Sequence, residues 1–329
     1  MSTVSIIVPC YNEQNTICLL LDALYGQDYP RSEIGVIISD GLSTDRTREE
    51  IVSFQASHPD LSVQIIDNLD RTIPTGLNRA IEVAQGDIIV RLDAHSIPCP
   101  DYVSRIVKAL ESSLGDNVGG IWEIQPGGNG WQAKSISKAA AHVLGVGDAL
   151  YRYTNHAQIV DTVPFGAFYR TLIDQIGPYD EALLTNEDYE FNTRLRKAGG
   201  TIWLDPSISS IYFARSTYKE LANQYWRYGY WKTQMLRRYP DTIKWRQALP
   251  PLFILSLAAL LILAVWLPIA MWLLLAELLI YTLVLLSVGI QLSIKHRELA
   301  LLIGVPLAII TMHLSWGSAF LWGMLKKHD

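Results

Sequence analysis

Between Leu249 and Ile294 the chain has 46 positions and one charged residue, Glu277. A soluble core does not accommodate so long an apolar run, whereas a lipid bilayer does. As one continuous helix the run would reach about 69 Å, against a hydrocarbon core of about 30 Å. Two spans therefore fit, with a tight break at Leu267-Pro268, and Leu299–Leu325 offers a third. Lys295, His296, Arg297 and Glu298 separate the second candidate from the third. With the large N-terminal part inside, three spans put Lys295 and Arg297 inside and the Lys326-Lys327 tail outside. Two charges against two do not decide orientation, and a re-entrant hairpin is the alternative. Glu277 is costly facing lipid, so it is expected to face a neighbouring helix or another subunit. His313 poses the same question, with a satisfied packing role as the plain alternative.

The residues before Leu249 have ordinary soluble composition, with 23 basic and 29 acidic side chains. That mildly acidic balance excludes a nucleic-acid binder. No basic segment followed by a long apolar stretch opens the chain, so no cleaved signal peptide is expected and the large domain is expected in the cytosol. Cys10, Cys18 and Cys99 form no metal-type spacing, and an odd count suits a reducing compartment.

Short apolar runs alternate with helical patterns through the first half. Val4–Val8, Ile34–Ser39, Val63–Ile66 and Ile88–Leu92 read as strands. Ile17, Leu20, Leu21 and Leu24, then Leu77, Ala80, Ile81 and Ala84, recur at helical spacing. Strand alternating with helix implies a mostly parallel α/β sheet covered on both faces. Pro126–Gly130 marks a loop, Trp131–Leu144 a helix, and Thr185-Asn-Glu-Asp188 opens another helix that ends at Gly199-Gly200. Residues 215–246 carry eight basic and two acidic side chains among many Tyr and Trp, which reads as one or two helices on a membrane surface. The domain reading is 1–214 catalytic, 215–248 interfacial and 249–329 transmembrane, the last as three helices.

Open α/β sheets bind ligands past the carboxyl ends of their strands, and Asp40 and Asp93 both fall there. A strand-end Asp is also an ordinary turn-former, but the pair points to one crevice. No GxGxxG follows the first strand and no GxxxxGK[ST] occurs, so a nicotinamide or P-loop reading is poor. Transfer from a nucleotide sugar needs a cation for the departing diphosphate and a base for the acceptor hydroxyl. Asp40 suits base or ribose recognition, Asp93 a metal, Arg71 a base or phosphate, and Glu187-Asp188 a proton acceptor. Arg227 and Lys232 are candidates to grip the diphosphate.

Val4-Ser-Ile-Ile-Val-Pro-Cys-Tyr-Asn-Glu13, Ser39-Asp-Gly-Leu-Ser-Thr-Asp-Arg-Thr47, Gly76-Leu-Asn-Arg-Ala80 and Gly86-Asp-Ile-Ile-Val-Arg-Leu-Asp93 form an ordered series. This series, spanning residues 4 to about 232, resembles the family 2 glycosyltransferases with a GT-A fold. Arg91–Ser96, Asp161–Arg170 and His313-Leu-Ser-Trp-Gly317 are similar to the succinoglycan-biosynthesis-type glucosyltransferases of exopolysaccharide pathways. The resemblance implies a Rossmann-like GT-A catalytic domain, then interfacial and C-terminal transmembrane helices, with the catalytic domain cytoplasmic at the plasma membrane. It implies an inverting hexosyltransferase that uses a UDP-sugar, a lipid-linked saccharide acceptor and Mg2+ or Mn2+. Pro9, Tyr11 and Glu13 would line the nucleotide pocket with Asp40 and Arg71, and Asp93 would hold the metal. Asp188, beside Glu187, would be the general base. Phe165-Gly166-Ala167-Phe168 would shape the acceptor site, and Gln224-Tyr-Trp-Arg227-Tyr228 resembles the QxxRW element that binds diphosphate and acceptor.

Two positions depart from the family pattern. The usual DxD reads Asp93-Ala94-His95, so His95 becomes a candidate metal ligand and Mn2+ is expected over Mg2+; His95 standing clear of the metal is the alternative. The tryptophan of QxxRW is Tyr228, which favours single-sugar addition over processive synthesis. A polyprenyl-phosphate sugar synthase and a non-catalytic membrane scaffold, either of them compatible with a homo-oligomer, are the other functional readings.

Overall fold

The computed structural model describes residues 1–326; Lys327, part of the basic tail, lies outside the described residues. The chain forms two compact units. The first comprises Met1–Glu123 and Tyr153–Tyr212, and the second comprises Ile124–Arg152 and the residues from Phe213 onward.

The strands are β1 (Val4–Cys10), β2 (Ile34–Asp40), β3 (Ser62–Asp67), β4 (Ile88–Arg91), β5 (Ile97–Pro98), β6 (Asn117–Pro126), β7 (Gln158–Ile159), β8 (Ala167–Tyr169) and β9 (Ile202–Ala214). They form one sheet in the order β3-β2-β1-β4-β8-β6-β9-β5, with β7 on β9. The first four are parallel and in register, Cys10 beside Asp40 and Asp40 beside Asp67. From β8 onward the mapped pairings are antiparallel. The four parallel strands are those read from the apolar runs, each within a residue or two of its expected ends.

Helices α1 (Ile17–Tyr25), α2 (Thr47–Ser57), α3 (Ile73–Val83) and α4 (Tyr102–Glu111) cover the parallel half. Ile17, Leu20, Leu21 and Leu24 of α1 are all fully buried against β1 and β2, as an i, i+3, i+4, i+7 stripe demands. The short α7 (Leu172–Ile176) and then α8 (Glu187–Lys197) complete this unit.

The second unit contains α5 (Trp131–Ala140), α6 (Val143–Val146), α9 (Tyr218–Arg238), α10 (Trp245–Leu263), α11 (Pro268–His296) and α12 (Leu301–Leu325). The expected helix Trp131–Leu144 breaks because His142 adopts an extended backbone and its Nδ1 caps Leu144 N–H at 3.2 Å. A boundary at residue 214 would leave α5 and α6 with the first unit. Packing places them here instead, where the Lys134 ammonium meets Glu298 at 2.8 Å and the Lys244 ammonium meets Asp148 at 2.8 Å.

Among the described residues three helices, α10, α11 and α12, are long and apolar enough to cross a membrane by length and composition. The break expected at Leu267-Pro268 occurs there, with Leu267 extended ahead of a proline that occupies the first helical position. α11 runs past Ile294 to His296 and stops at Arg297, whose left-handed backbone (φ 53°) ends the helix. Glu277 is turned to α10, accepting from Ser256 Oγ at 2.5 Å. His313 lies 2.9 Å from the Tyr281 hydroxyl and 2.7 Å from the Leu144 carbonyl, so both ring nitrogens have partners and its role is packing.

Candidate active site

The carboxyl ends of β1, β2 and β4 carry the expected residues in the first unit. β1 leads into Tyr11, 45% exposed, and Glu13. Glu13 Oε1 accepts from His95 Nδ1 at 3.0 Å, and its other oxygen accepts from Thr16 Oγ1. Burial raises the Glu13 pKa, but the hydrogen bond and charge of His95 and the Thr16 bond outweigh it and leave it lowered. The Arg71 guanidinium stands 5.9 Å from the Tyr11 ring centroid, on a left-handed backbone (φ 57°) that turns the loop between β3 and α3. Pro9 lies within β1, paired with Ser39.

Asp40 is placed differently from the expectation of direct contact with a nucleotide. It is 0% exposed, and it accepts from Ser43 N at 3.0 Å, Ser43 Oγ at 2.5 Å and Arg48 Nε at 2.5 Å. Arg48 also pairs with Asp67, and the hydrogen bonds it donates to Asp67 and Asp40 raise its pKa. A fully buried carboxylate needs such partners, and supplying them uses both its oxygens. Asp40 thus fixes the 40–48 loop, while Tyr11 and Arg71 are exposed at this edge and Glu13 is half-buried.

After β4 the chain makes a turn in which Ser96 N and Ser96 Oγ donate to the Asp93 carbonyl at 3.0 and 2.7 Å. This turn presents Asp93 and His95 together. Arg91, the last residue of β4, is 3% exposed and was not among the residues expected to act. Its Nη2 donates to Asp93 Oδ1 at 3.1 Å and to Glu187 Oε1 at 3.0 Å, and its Nη1 donates to Asp188 Oδ2. Burial alone would lower the Arg91 pKa; attraction from Asp93 and Glu187 more than offsets it and leaves it raised. One guanidinium therefore joins Asp93, at the end of β4, to both carboxylates at the start of α8.

Glu187 and Asp188 occupy the first turn of α8, where exposed backbone N–H groups favour negative charge. Asn186 precedes them with a left-handed backbone (φ 72°). Asp93 and Asp188 side chains each keep 22% exposure, so both reach solvent from the shared arginine.

Phe165, Gly166, Ala167 and Phe168 are all buried rather than lining an open cleft. Phe165 lies under Arg91, with the guanidinium 5.8 Å from its ring centroid, and the Gly166 carbonyl accepts from Arg91 N at 3.1 Å. Phe168 packs on Phe191 of α8. This segment supports Arg91 and α8 from beneath.

Gln224, Arg227, Tyr228 and Lys232 lie on α9 in the second unit. Gln224 Nε2 donates to the Tyr228 hydroxyl at 3.0 Å and Arg227 is exposed. Lys232 is 4% exposed, and its ammonium donates to the Thr242 carbonyl at 3.3 Å. That inward role differs from the expected grip on a diphosphate, because α9 turns this face of the helix into its own unit.

Among the described residues, no group of three or more His, Cys, Asp or Glu side chains could hold a metal ion by itself. The donor set fits a cation of another kind. Divalent ions at nucleotide sites take one or two carboxylates and complete their shell with substrate phosphates and water. Asp93 offers such a carboxylate, and the Glu13 bond fixes the His95 ring in the way a metal-ligating imidazole is usually held.

The sequence profile described as Glycosyl transferase family 2 matches residues 5–176. The dolichyl N-acetyl-alpha-D-glucosaminyl phosphate 3-beta-D-2,3-diacetamido-2,3-dideoxy-beta-D-glucuronosyltransferase of Methanococcus voltae is 28% identical over 100% of this chain and 99% of its own. The succinoglycan biosynthesis protein ExoA of Rhizobium meliloti is 30% identical over 74% of this chain and 73% of its own. The mannosyltransferase PcManGT from Pyrobaculum calidifontis, solved with GDP-Man and Mn2+, shares the fold with a TM-score of 0.64 at 20% identity, covering 94% of this chain and 87% of that one. With a GT-A sheet, the ordered motifs at its carboxyl edge and these relatives, the chain belongs to glycosyl transferase family 2.

Proposed function

We propose that this chain is an inverting glycosyltransferase that moves a sugar from a UDP-sugar to a hydroxyl of a lipid-linked saccharide in exopolysaccharide synthesis. The observation that carries the reading is the meeting of Asp93 and Asp188 on the Arg91 guanidinium. The M. voltae relative is named for a dolichyl-phosphate-linked sugar acceptor, and the R. meliloti relative for succinoglycan biosynthesis. Both names suit an acceptor hydroxyl carried on a lipid or polymer.

Tyr11, Glu13 and Arg71 bind the nucleotide, with Arg71 stacking and supplying charge beside the Tyr11 ring. Asp93, with His95, would hold a divalent cation, which when bound would neutralise the charge that grows on the departing diphosphate. Asp188 accepts the proton of the acceptor hydroxyl as that oxygen attacks the anomeric carbon opposite the leaving group. Arg91 aims Asp188 through its guanidinium, and Glu187 balances the charge of Arg91. One displacement with no covalent sugar–enzyme intermediate inverts the anomeric centre.

The test is incubation of the detergent-purified chain with radiolabelled UDP-sugars, Mn2+ and a lipid extract. Label is expected in the lipid phase and lost with Asp188→Asn. An Asp188→Asn variant that keeps most activity and yields a polyprenyl-phosphate sugar would instead mark a phosphate acceptor, which is already ionised and needs no base. No incorporation from any UDP-sugar and no nucleotide-sugar binding would leave only a scaffold.

A further inference from the structure

The second unit contains a contradiction with three membrane crossings. α12 qualifies as a span by composition, but α9 lies beside it along its length. Near one end, the Tyr218 hydroxyl donates to the Gly304 carbonyl at 3.1 Å. In the middle, Gly229 approaches so closely that a Cβ there would sit 2.3 Å from the Trp316 carbonyl oxygen. Near the other end, a Cβ on Gly323 would sit 2.3 Å from Thr233 Oγ1, and Arg237 Nη2 donates to the Gly323 carbonyl at 2.9 Å and the Lys326 carbonyl at 2.6 Å. The two helices therefore run side by side in the same direction, and the two ends of α9 mark the depths of the two ends of α12.

α9 is not a membrane span. Lys219, Glu220, Arg227, Arg237 and Arg238 are exposed along it, and among the described residues only α10, α11 and α12 are long and apolar enough to cross. Aligning α12 with the membrane normal would carry Arg227 and Arg237 into or across the hydrocarbon, where charged side chains facing lipid are strongly disfavoured.

The burial pattern agrees. α10 and α11 expose apolar side chains over most of their surface, whereas α12 has one face, with Leu301, Val305, Ala308, Ile309, Met312 and Ala319, completely buried, and exposes Ile303, Leu307, Leu314 and Trp322 elsewhere. Exposed Trp245 opens α10 and exposed Trp266 lies in the turn just past its end; the helix between them, 19 residues or about 28 Å long, is close to one hydrocarbon thickness.

We infer that the α10–α11 pair is the part of this protein that crosses the membrane, and that α12, packed along one face against α9, does not cross the bilayer. The chain then returns to the face it left. Its C-terminus lies on the same side of the membrane as the start of α9, and so on the same side as the N-terminus, because no helix able to cross precedes α10 among the described residues.

The inference is tested with the full chain carrying one epitope tag at the N-terminus and a different one at the C-terminus, in sealed vesicles treated with protease. Membrane association and tag recovery before treatment serve as the controls. Both tags should be digested, or both protected, with the ratio of their sensitivities near one and the two released together when detergent opens the vesicles. One tag digested and the other protected would place a third crossing at α12 and overturn the inference. As a second measurement, a C-terminal fluorescent reporter and a C-terminal alkaline phosphatase are compared in cells. The fluorescent fusion should be bright and the phosphatase fusion inactive if the N-terminal tag is cytoplasmic, and the reverse pair of signals with that tag still cytoplasmic would overturn it.

Discussion

Replacing Arg91 with Gln removes one charge and leaves three carboxylates facing one another. Glu187 has 10% of its side chain exposed, and Asp93 and Asp188 each have 22%. Breaking a buried ion pair by deleting one partner costs about 3–5 kcal/mol, since the other partner stays buried and unpaired. Water reaches two of these three carboxylates and offsets part of the loss, which puts the expected cost at about 3 kcal/mol. For a unit of this size each kcal/mol lowers Tm by about 2–4 °C, so the variant should melt about 6–12 °C below the parent. The measurement is a thermal scan of the detergent-purified full chain at one fixed scan rate, beside turnover at saturating donor. Arg91→Lys separates charge from geometry: a point ammonium restores much of the melting temperature, but its reach cannot match a planar fork that bonds three carboxylates. Its turnover should stay about 100-fold down, as expected when a base is held slightly out of place. An Arg91→Gln protein that melts within about 2 °C of the parent and turns over within about twofold would refute the reasoning that a single guanidinium organises this centre.

Other outcomes follow from the same geometry. Asp188→Asn should lower turnover by about 100-fold to 10,000-fold while leaving the affinity for UDP within a few fold, as read by calorimetry. Chelation by EDTA should abolish turnover, and Mn2+ should restore more of it than Mg2+ at saturation; equal restoration would count against His95 as a ligand. Gly120→Ala would put a Cβ 1.8 Å from the Ile208 carbonyl oxygen in the neighbouring strand, and backbone has little room to yield. That variant should lose at least about 1–3 kcal/mol of stability, visible as a lower Tm with an unchanged membrane fraction.

The parallel half of the sheet was legible because β1, β2 and β4, buried on both faces, read as continuous apolar runs, and α1 and α3 announce themselves by period. The antiparallel half was not. β5 and β7 are two residues each and β8 three, too short for any periodic signal, and β6 carries Gly119-Gly120 where strand formers would be expected. Arg91 escaped notice for a related reason. It sits in a run read as an apolar strand, and its partners at 187 and 188 are nearly a hundred residues away, where spacing carries no information. A signal was present all the same: a charged side chain inside a strand with no exposed face requires a counter-charge, and two adjacent acids at a helix start were waiting to be matched. Asp40 misled in the opposite direction. Its position at a strand end suggested exposure, while Arg48, eight residues on, was the nearer cue to a buried pair. Lys232 likewise looked available until α9 was seen to turn it inward.

The hydrogen bond that ties Ser256 of α10 to Glu277 of α11 bears on how different parts of the chain respond to their surroundings. Among acyl chains, apolar burial gives α10 and α11 no reason to associate, so side-by-side packing and hydrogen bonds such as Ser256 to Glu277 must do the holding. The sheet, by contrast, is held by excluding water from β1, β2 and β4. Urea weakens that exclusion and should dissolve the sheet while the helices persist, whereas a change of detergent should trouble the helices and spare the sheet. The chain behaves as one polymer adapted to two solvents.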